Sequence, residues 1–178
     1  MYGMIHRAIR GMVIEERGES AWNELEHRSG IGPAEMISAE TYDDEITLRM
    51  LAAASDAYDM PINDLLVRFG RYWIVFAERG SFKFILDFTG QDLRGFISNL
   101  DRMHVGVQAV MPQAIMPSFR VAEDTAEKVV VEYRSTRTGL EPFVTGLFQG
   151  LAERFGVEAD VQHLGWYGDA STFAILFK

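Results

Sequence analysis

Two places in this 178-residue chain combine residue types and spacing that could do chemistry. The first is His104, inside "LDRMHVGVQAVMPQAIMPSF" at residues 100–119. It falls four positions after Leu100 and three before Val107, so on a helix it shares their apolar face. A neutral imidazole buried among Leu100, Met103 and Val107 brings two ring nitrogens that need partners, and its helical neighbours offer none. Two solutions are open: a hydrogen-bonded core histidine, or a metal ligand, as in proteins that hold a haem iron by one histidine. The second place is "YRSTR" at residues 133–137. Tyr133, Ser135 and Arg137 are spaced i, i+2, i+4, and on a strand or extended segment they project from one face. A phenol, a hydroxyl and a permanent positive charge make a receptor for carboxylates. The alternative is an exposed strand edge carrying a surface arginine.

A third pattern is weaker. Glu24 and His27 form Glu-x-x-His, and Asp101 with His104 is an acidic analogue; paired copies of Glu-x-x-His build di-iron carboxylate sites in helical bundles. Glu24 and Glu26 flank Leu25, an arrangement that fits a solvated helix face better. The chain has no P-loop, no GxGxxG after a strand, no GxSxG and no HExxH. With no cysteine it has no disulfide framework, no thiolate zinc site and no cysteine nucleophile.

The elements that must position these groups fall into two regimes. Ile5, Ile9, Met12 and Val13 recur at helical spacing up to a stop at Arg17-Gly18. "SAWNELEHRSG" reads as a second helix, with Ser20 as its N-cap and Gly30 as its stop. A third runs from about Tyr42 to Tyr58. Pro61 opens a fourth, striped by Ile62, Leu65, Leu66, Phe69, Trp73 and Phe76. "SFKFILDFTG" fits helix or strand equally. The His104 helix starts near Gln91 and ends at Pro112, and Pro117 closes a constrained turn. From there the period changes to two: "SFRVAE" and "EKVVVEYRSTR" read as strands joined at Asp124-Thr125, "EPFVTGLFQGLAERFG" as a helix, and "VEADVQHLGWY" with "STFAILFK" as a closing antiparallel pair. The expected class is α+β: a helical subdomain of about 1–60, then a subdomain of about 61–178 holding the His104 helix and an antiparallel ββαββ lobe.

The bulk composition is that of an ordinary globular protein, 48% hydrophobic and 24% charged. A net charge of -9 argues against a nucleic-acid surface. No run approaches the roughly 18 apolar residues that span a bilayer. The start is amphipathic rather than a signal peptide, broken by His6, Arg7 and Arg10. The expected location is the cytoplasm.

Taken together, the histidine helix, the Pro117 turn and the "YRSTR" segment resemble the H-NOX family, the haem nitric oxide/oxygen-binding domain related to the haem domain of soluble guanylate cyclase. The resemblance covers the whole chain, 1–178, as one domain. It includes "MYGMI" at the start, "FGRYW" at 69–73, "MPSF" at 116–119 and "YRSTRTGLEPFVTGL" at 133–147. It implies haem b (iron protoporphyrin IX) held between the two lobes, with His104 as the axial iron ligand. Tyr133, Ser135 and Arg137 would bind the propionates, Pro117 would press on the macrocycle, and Ile5, Trp73 and Ile74 would line the distal side. Leu100, Met103 and Leu147 would complete the surroundings. Members that bind oxygen place a tyrosine hydroxyl in the distal pocket shortly after the YxSxR arginine; the matching residue here is Phe143, which has no donor, although the Trp73 indole could supply one. The implied ligands are therefore nitric oxide and carbon monoxide rather than dioxygen. Nitric oxide would weaken the iron–His104 bond, let the haem relax against Pro117 and shift one lobe against the other. With no output domain after Lys178, the expected recipient is a separate protein, a histidine kinase or a cyclic-di-GMP enzyme, and the chain itself is no enzyme. The rival readings are a carboxylate-bridged di-iron protein and a haem-free module for an apolar ligand.

Overall fold

The computed structural model describes residues 1–178. Its first half is helical where apolar residues keep the helical period, and its breaks fall at residues that suit a turn. α1 (Gly3–Arg17) buries Ala8, Ile9, Met12 and Val13 and stops at Gly18. α2 (Glu19–Ser29) follows at once. Gly18, at φ 87°, is itself the residue before α2, so Ser20 lies inside the helix rather than capping it. The end of α2 is as expected: Gly30 adopts the left-handed conformation at φ 65°. A short 3-10 turn, Pro33–Met36, leads to α3 (Asp44–Tyr58). α3 starts two residues later than its apolar pattern suggests, because Asp43 caps it, accepting from the Glu45 amide at 3.0 Å.

α4 (Ile62–Arg79) begins directly after Pro61. The ambiguous aromatic stretch is a short helix, α5 (Lys83–Thr89). α6 (Leu93–Val110) is capped by Asp92, whose carboxylate accepts from Gly95 at 2.8 Å, and Pro112 stands just beyond its end. β1 (Ser118–Asp124) and β2 (Lys128–Arg134) form a hairpin, α7 (Glu141–Arg154) crosses over, and β3 (Ala159–Tyr167) and β4 (Ala170–Phe177) form a second hairpin. All pairings are antiparallel, in the order β1-β2-β4-β3. The class is α+β, as the change of period predicts.

Two apolar clusters hold the molecule together. One gathers Ile9, Met12, Trp22, Leu25, Met50 and Leu65 from α1 to α4. The other joins α6, α7 and the sheet through Phe96, Ile97, Val131, Phe148, Phe173 and Ile175. α4 serves both: Leu65, Leu66 and Phe69 face the first, Ile74 and Ala77 the second, and Trp73 touches each. α4 and α7 cross backbone against backbone. A Cβ on Gly70 would sit 2.2 Å from the Phe143 carbonyl oxygen, and one on Gly146 would sit 2.0 Å from that of Val67. Only glycine permits that approach.

Candidate haem site

Between the two clusters lies a cavity of about 530 Å³ lined by 29 residues, 22 of them hydrophobic. That size and polarity suit a mostly apolar ligand fixed by a few polar groups. α6 places Met103, His104 and Val107 on the cavity one turn after its buried Leu100. α4 contributes Trp73, α1 contributes Ile5, and the first turns of α7 contribute Phe143 and Leu147. Pro117, Tyr133, Ser135 and Arg137 complete the group. Ten of the twelve residues singled out in the sequence thus face one space. Ile74 and Leu100 do not: both are buried in the sheet-side cluster, Ile74 against Gly150 of α7. Their helix faces are wide enough that periodicity puts cavity wall and solid core on one stripe.

His104 has the environment of a ligand. Its Nδ1 is buried without a hydrogen-bond partner, which leaves Nε2 as the nitrogen to reach the cavity. Burial pushes its pKa down to about 4, against a smaller opposite pull from Asp101. The imidazole is therefore neutral at pH 7, the form that binds a metal. Its ring packs on Phe119 at 5.4 Å between centroids. Asp101, one turn before it, accepts from the Phe119 amide at 3.0 Å, so the histidine helix is tied to the start of β1 just after Pro117.

The polar end lies at the end of β2. The strand stops at Arg134, so Ser135 and Arg137 project from a bend rather than from a strand face. Ser135 Oγ accepts from the Arg137 amide at 3.0 Å and fixes that bend. Arg137 donates through Nε to Asp44 at 2.7 Å and through Nη1 to the Ile115 carbonyl at 3.0 Å. A second Asp44 contact, 3.4 Å from Nη2, makes the pair bidentate. Of the guanidinium's five N–H groups two remain free, enough for one more carboxylate. Burial pushes the Asp44 carboxyl up, but Arg137 and the N-terminal ammonium outweigh it and hold it below the usual range. Burial pushes the Tyr133 phenol up, so it stays a donor.

Asp44 and the α5 residues Ile85 and Leu86 belong to the cavity wall but carry no local sequence signal. Asp44 lies 93 positions from Arg137, and only the fold brings them together. The di-iron alternative finds no support: Glu24 and His27 face solvent on α2, and no three metal-binding side chains of the His, Cys, Asp or Glu type cluster anywhere.

Residues 2–163 match the family described as Haem-NO-binding. The chain belongs to this family, the H-NOX domains. The soluble guanylate cyclase gcy-35 of Caenorhabditis elegans is 29% identical over 158 residues, covering 86% of this chain and 23% of that protein. The soluble guanylate cyclase subunit beta-2 of Rattus norvegicus is 32% identical over 91 residues, 51% of this chain and 13% of that protein. This chain thus spans under a quarter of the length of such relatives. Among solved structures, the Fe(II)NO form of an H-NOX protein from S. oneidensis superposes with a TM-score of 0.87 at 21% identity, covering 100% of this chain and 99% of that one. The unliganded Fe(II) H-NOX protein from K. algicida gives 0.83 at 25%, covering 100% and 97%. H-NOX domains are sensor domains, not catalysts. The residues present fit a haem: an unpartnered neutral imidazole, an apolar chamber, and a cation with two free donors at its edge.

Proposed function

We propose that this H-NOX chain is a haem-based sensor of nitric oxide, responsive also to carbon monoxide, which passes a conformational change to a separate partner protein. The reading rests above all on His104, a neutral imidazole with one nitrogen buried and unpartnered and its ring on an apolar cavity. Haem b, when bound, supplies an iron with a free coordination position for a diatomic gas. His104 would hold that iron from one side. Tyr133 and Arg137 would orient the propionates, with Ser135 shaping the bend that carries Arg137. Phe143 and Leu147 are apolar where they line the cavity and give a bound gas no hydroxyl donor. That favours ligands that need no hydrogen bond.

The route outward follows from the same contacts. Arg137 joins the carboxylate end of the site to Asp44 at the start of α3, and Asp101 joins the ligand helix to β1. A gas moves this assembly only to the extent that it binds two arrangements with different affinity. The α4–α7 glycine crossing is the stiff element between the clusters about which such a shift would turn. A histidine kinase or a cyclic-di-GMP enzyme would suit as recipient.

Protein expressed with haem supplied tests the reading. Reduced anaerobically, it should show one Soret band that moves on nitric oxide and on carbon monoxide and stays in place in air. Protein that purifies with no Soret band would refute the sensor and favour a haem-free apolar-ligand module.

A further inference from the structure

Away from the cavity, one charged group is buried that the site does not use. Arg154, in the last turn of α7, has a side chain only 8% exposed. Its Nε donates to Glu78 of α4 at 2.7 Å and its Nη2 to Asp87 of α5 at 2.6 Å, while Nη1 is buried with no partner. Phe96 of α6 and Phe155 flank the guanidinium, with centroids 5.8 and 5.0 Å from it. A buried guanidinium with an unfilled donor is a poor source of stability, since a well-packed apolar side chain would avoid the desolvation. What such a group does supply is a defined geometry between the elements it joins.

The element it defines is α5. With seven residues α5 is too short to hold a helical shape by itself. Its outer face offers little anchorage, since Phe84 and Phe88 stack on each other in solvent and each is 78% exposed. Its inner face, Ile85 and Leu86, is a wall of the cavity. Asp87 stands next to those two residues and reaches Arg154. Its other partner, Lys83 at 2.8 Å, sits on α5 itself and anchors it to nothing else. Glu78 holds the guanidinium from α4, so the clamp is fixed to the rigid α4–α7 crossing.

We propose that Arg154 is a positioning residue that, through Asp87, sets where the α5 wall of the cavity stands and thereby how fast a gas reaches the site. The link from Arg154 to α5 stands on these contacts alone; the link to gas entry rests on the haem reading above. Releasing the clamp loosens α5 at Asp87, leaving buried Leu86 and the Asn99 amide on the Thr89 carbonyl at 3.0 Å as its remaining ties. It keeps the ligand helix in place, because α6 is held separately by the Asp101–Phe119 bond and by Phe96, Ile97 and Leu100.

The test uses the full chain as purified. Asp87→Asn keeps the size of the side chain and removes its charge, Asp87→Glu restores the charge, and Lys83→Ala removes only the contact within α5. Amide exchange at residues 85–89 should quicken at least tenfold in Asp87→Asn, with Gly70 and Gly146 unchanged. It should return towards wild type in Asp87→Glu and stay near wild type in Lys83→Ala. In the haem-loaded protein, carbon monoxide recombination after flash photolysis should change at least threefold in Asp87→Asn with the ferrous spectrum unaltered. Arg154→Lys, which keeps a cation at the clamp, should fall between wild type and Asp87→Asn, and it replaces Asp87→Asn should that variant not fold. Exchange that is unchanged, or that rises equally throughout the chain, overturns the proposal, as does faster α5 exchange with an unchanged recombination rate. A wild type that takes up no haem sinks the haem reading instead, and the exchange comparison still decides whether Arg154 positions α5.

Discussion

At position 143 a phenyl ring stands on the cavity, 5.3 Å from Phe69, where a hydroxyl would change which gas is held. One neutral hydrogen bond to a bound ligand is worth about 1 kcal/mol net. Phe143→Tyr should therefore raise dioxygen affinity by about fivefold to tenfold, read as a Soret change in air that wild type lacks. No change in the variant would mean that the ring at 143 does not face the bound gas. Residue-scale features of this kind were the most legible in the sequence. His104 and "YRSTR" announce themselves because an imidazole on an apolar stripe and a phenol-hydroxyl-guanidinium run are chemically unusual within a few positions. Asp44 was invisible for the opposite reason: an acidic residue at a helix start looks like any other first-turn carboxylate until the fold sets it against Arg137.

At the scale of elements, glycine decides the α4–α7 crossing. A methyl at Gly146 would overlap the Val67 carbonyl, and that oxygen belongs to helical backbone that cannot swing aside. Gly146→Ala should cost about 1–3 kcal/mol in urea unfolding and shift the haem spectrum by displacing Phe143 and Leu147. A neutral effect on both would show that the crossing is looser than its geometry. Except for short α5, whose aromatic stretch fits helix or strand equally, the helices can be read from apolar period and capping residues, to within two positions at α3 and with one misplaced cap at α2. The sheet order could not, because strand pairing between β2 and β4 is set by packing under α7 rather than by anything adjacent in the chain. Ile74 and Leu100 lie in the core rather than on the cavity for a related reason, since a helical stripe does not distinguish a solid core from the wall of a cavity.

For the molecule as a whole, one buried and one partly buried imidazole make stability depend on pH. His6 is fully buried; its Nδ1–H donates to the Glu35 carbonyl at 2.7 Å and its Nε2 accepts from Thr47 at 2.8 Å, and burial holds its pKa below the ordinary value. His104 is depressed to about 4 by burial. The unfolded chain binds these protons more readily than the folded one, so their contribution is complete above about pH 6.5 and is lost as pH falls below it, for His104 towards about 4. In haem-free protein the loss for His104 alone is roughly 3 kcal/mol across that window, and urea midpoints at pH 7, 6 and 5 should fall in order. Occupation of His104 by iron should protect that part of the stability, leaving a shallower slope in the haem-loaded protein. The same imidazole is the proposed iron ligand, and one substitution isolates it. His104→Gly protein prepared with haem and imidazole should recover a ferrous spectrum close to that of wild type and lose it on removal of the imidazole. A His104→Gly protein that binds haem with the wild-type spectrum in the absence of imidazole would contradict the assignment of His104 as the iron ligand.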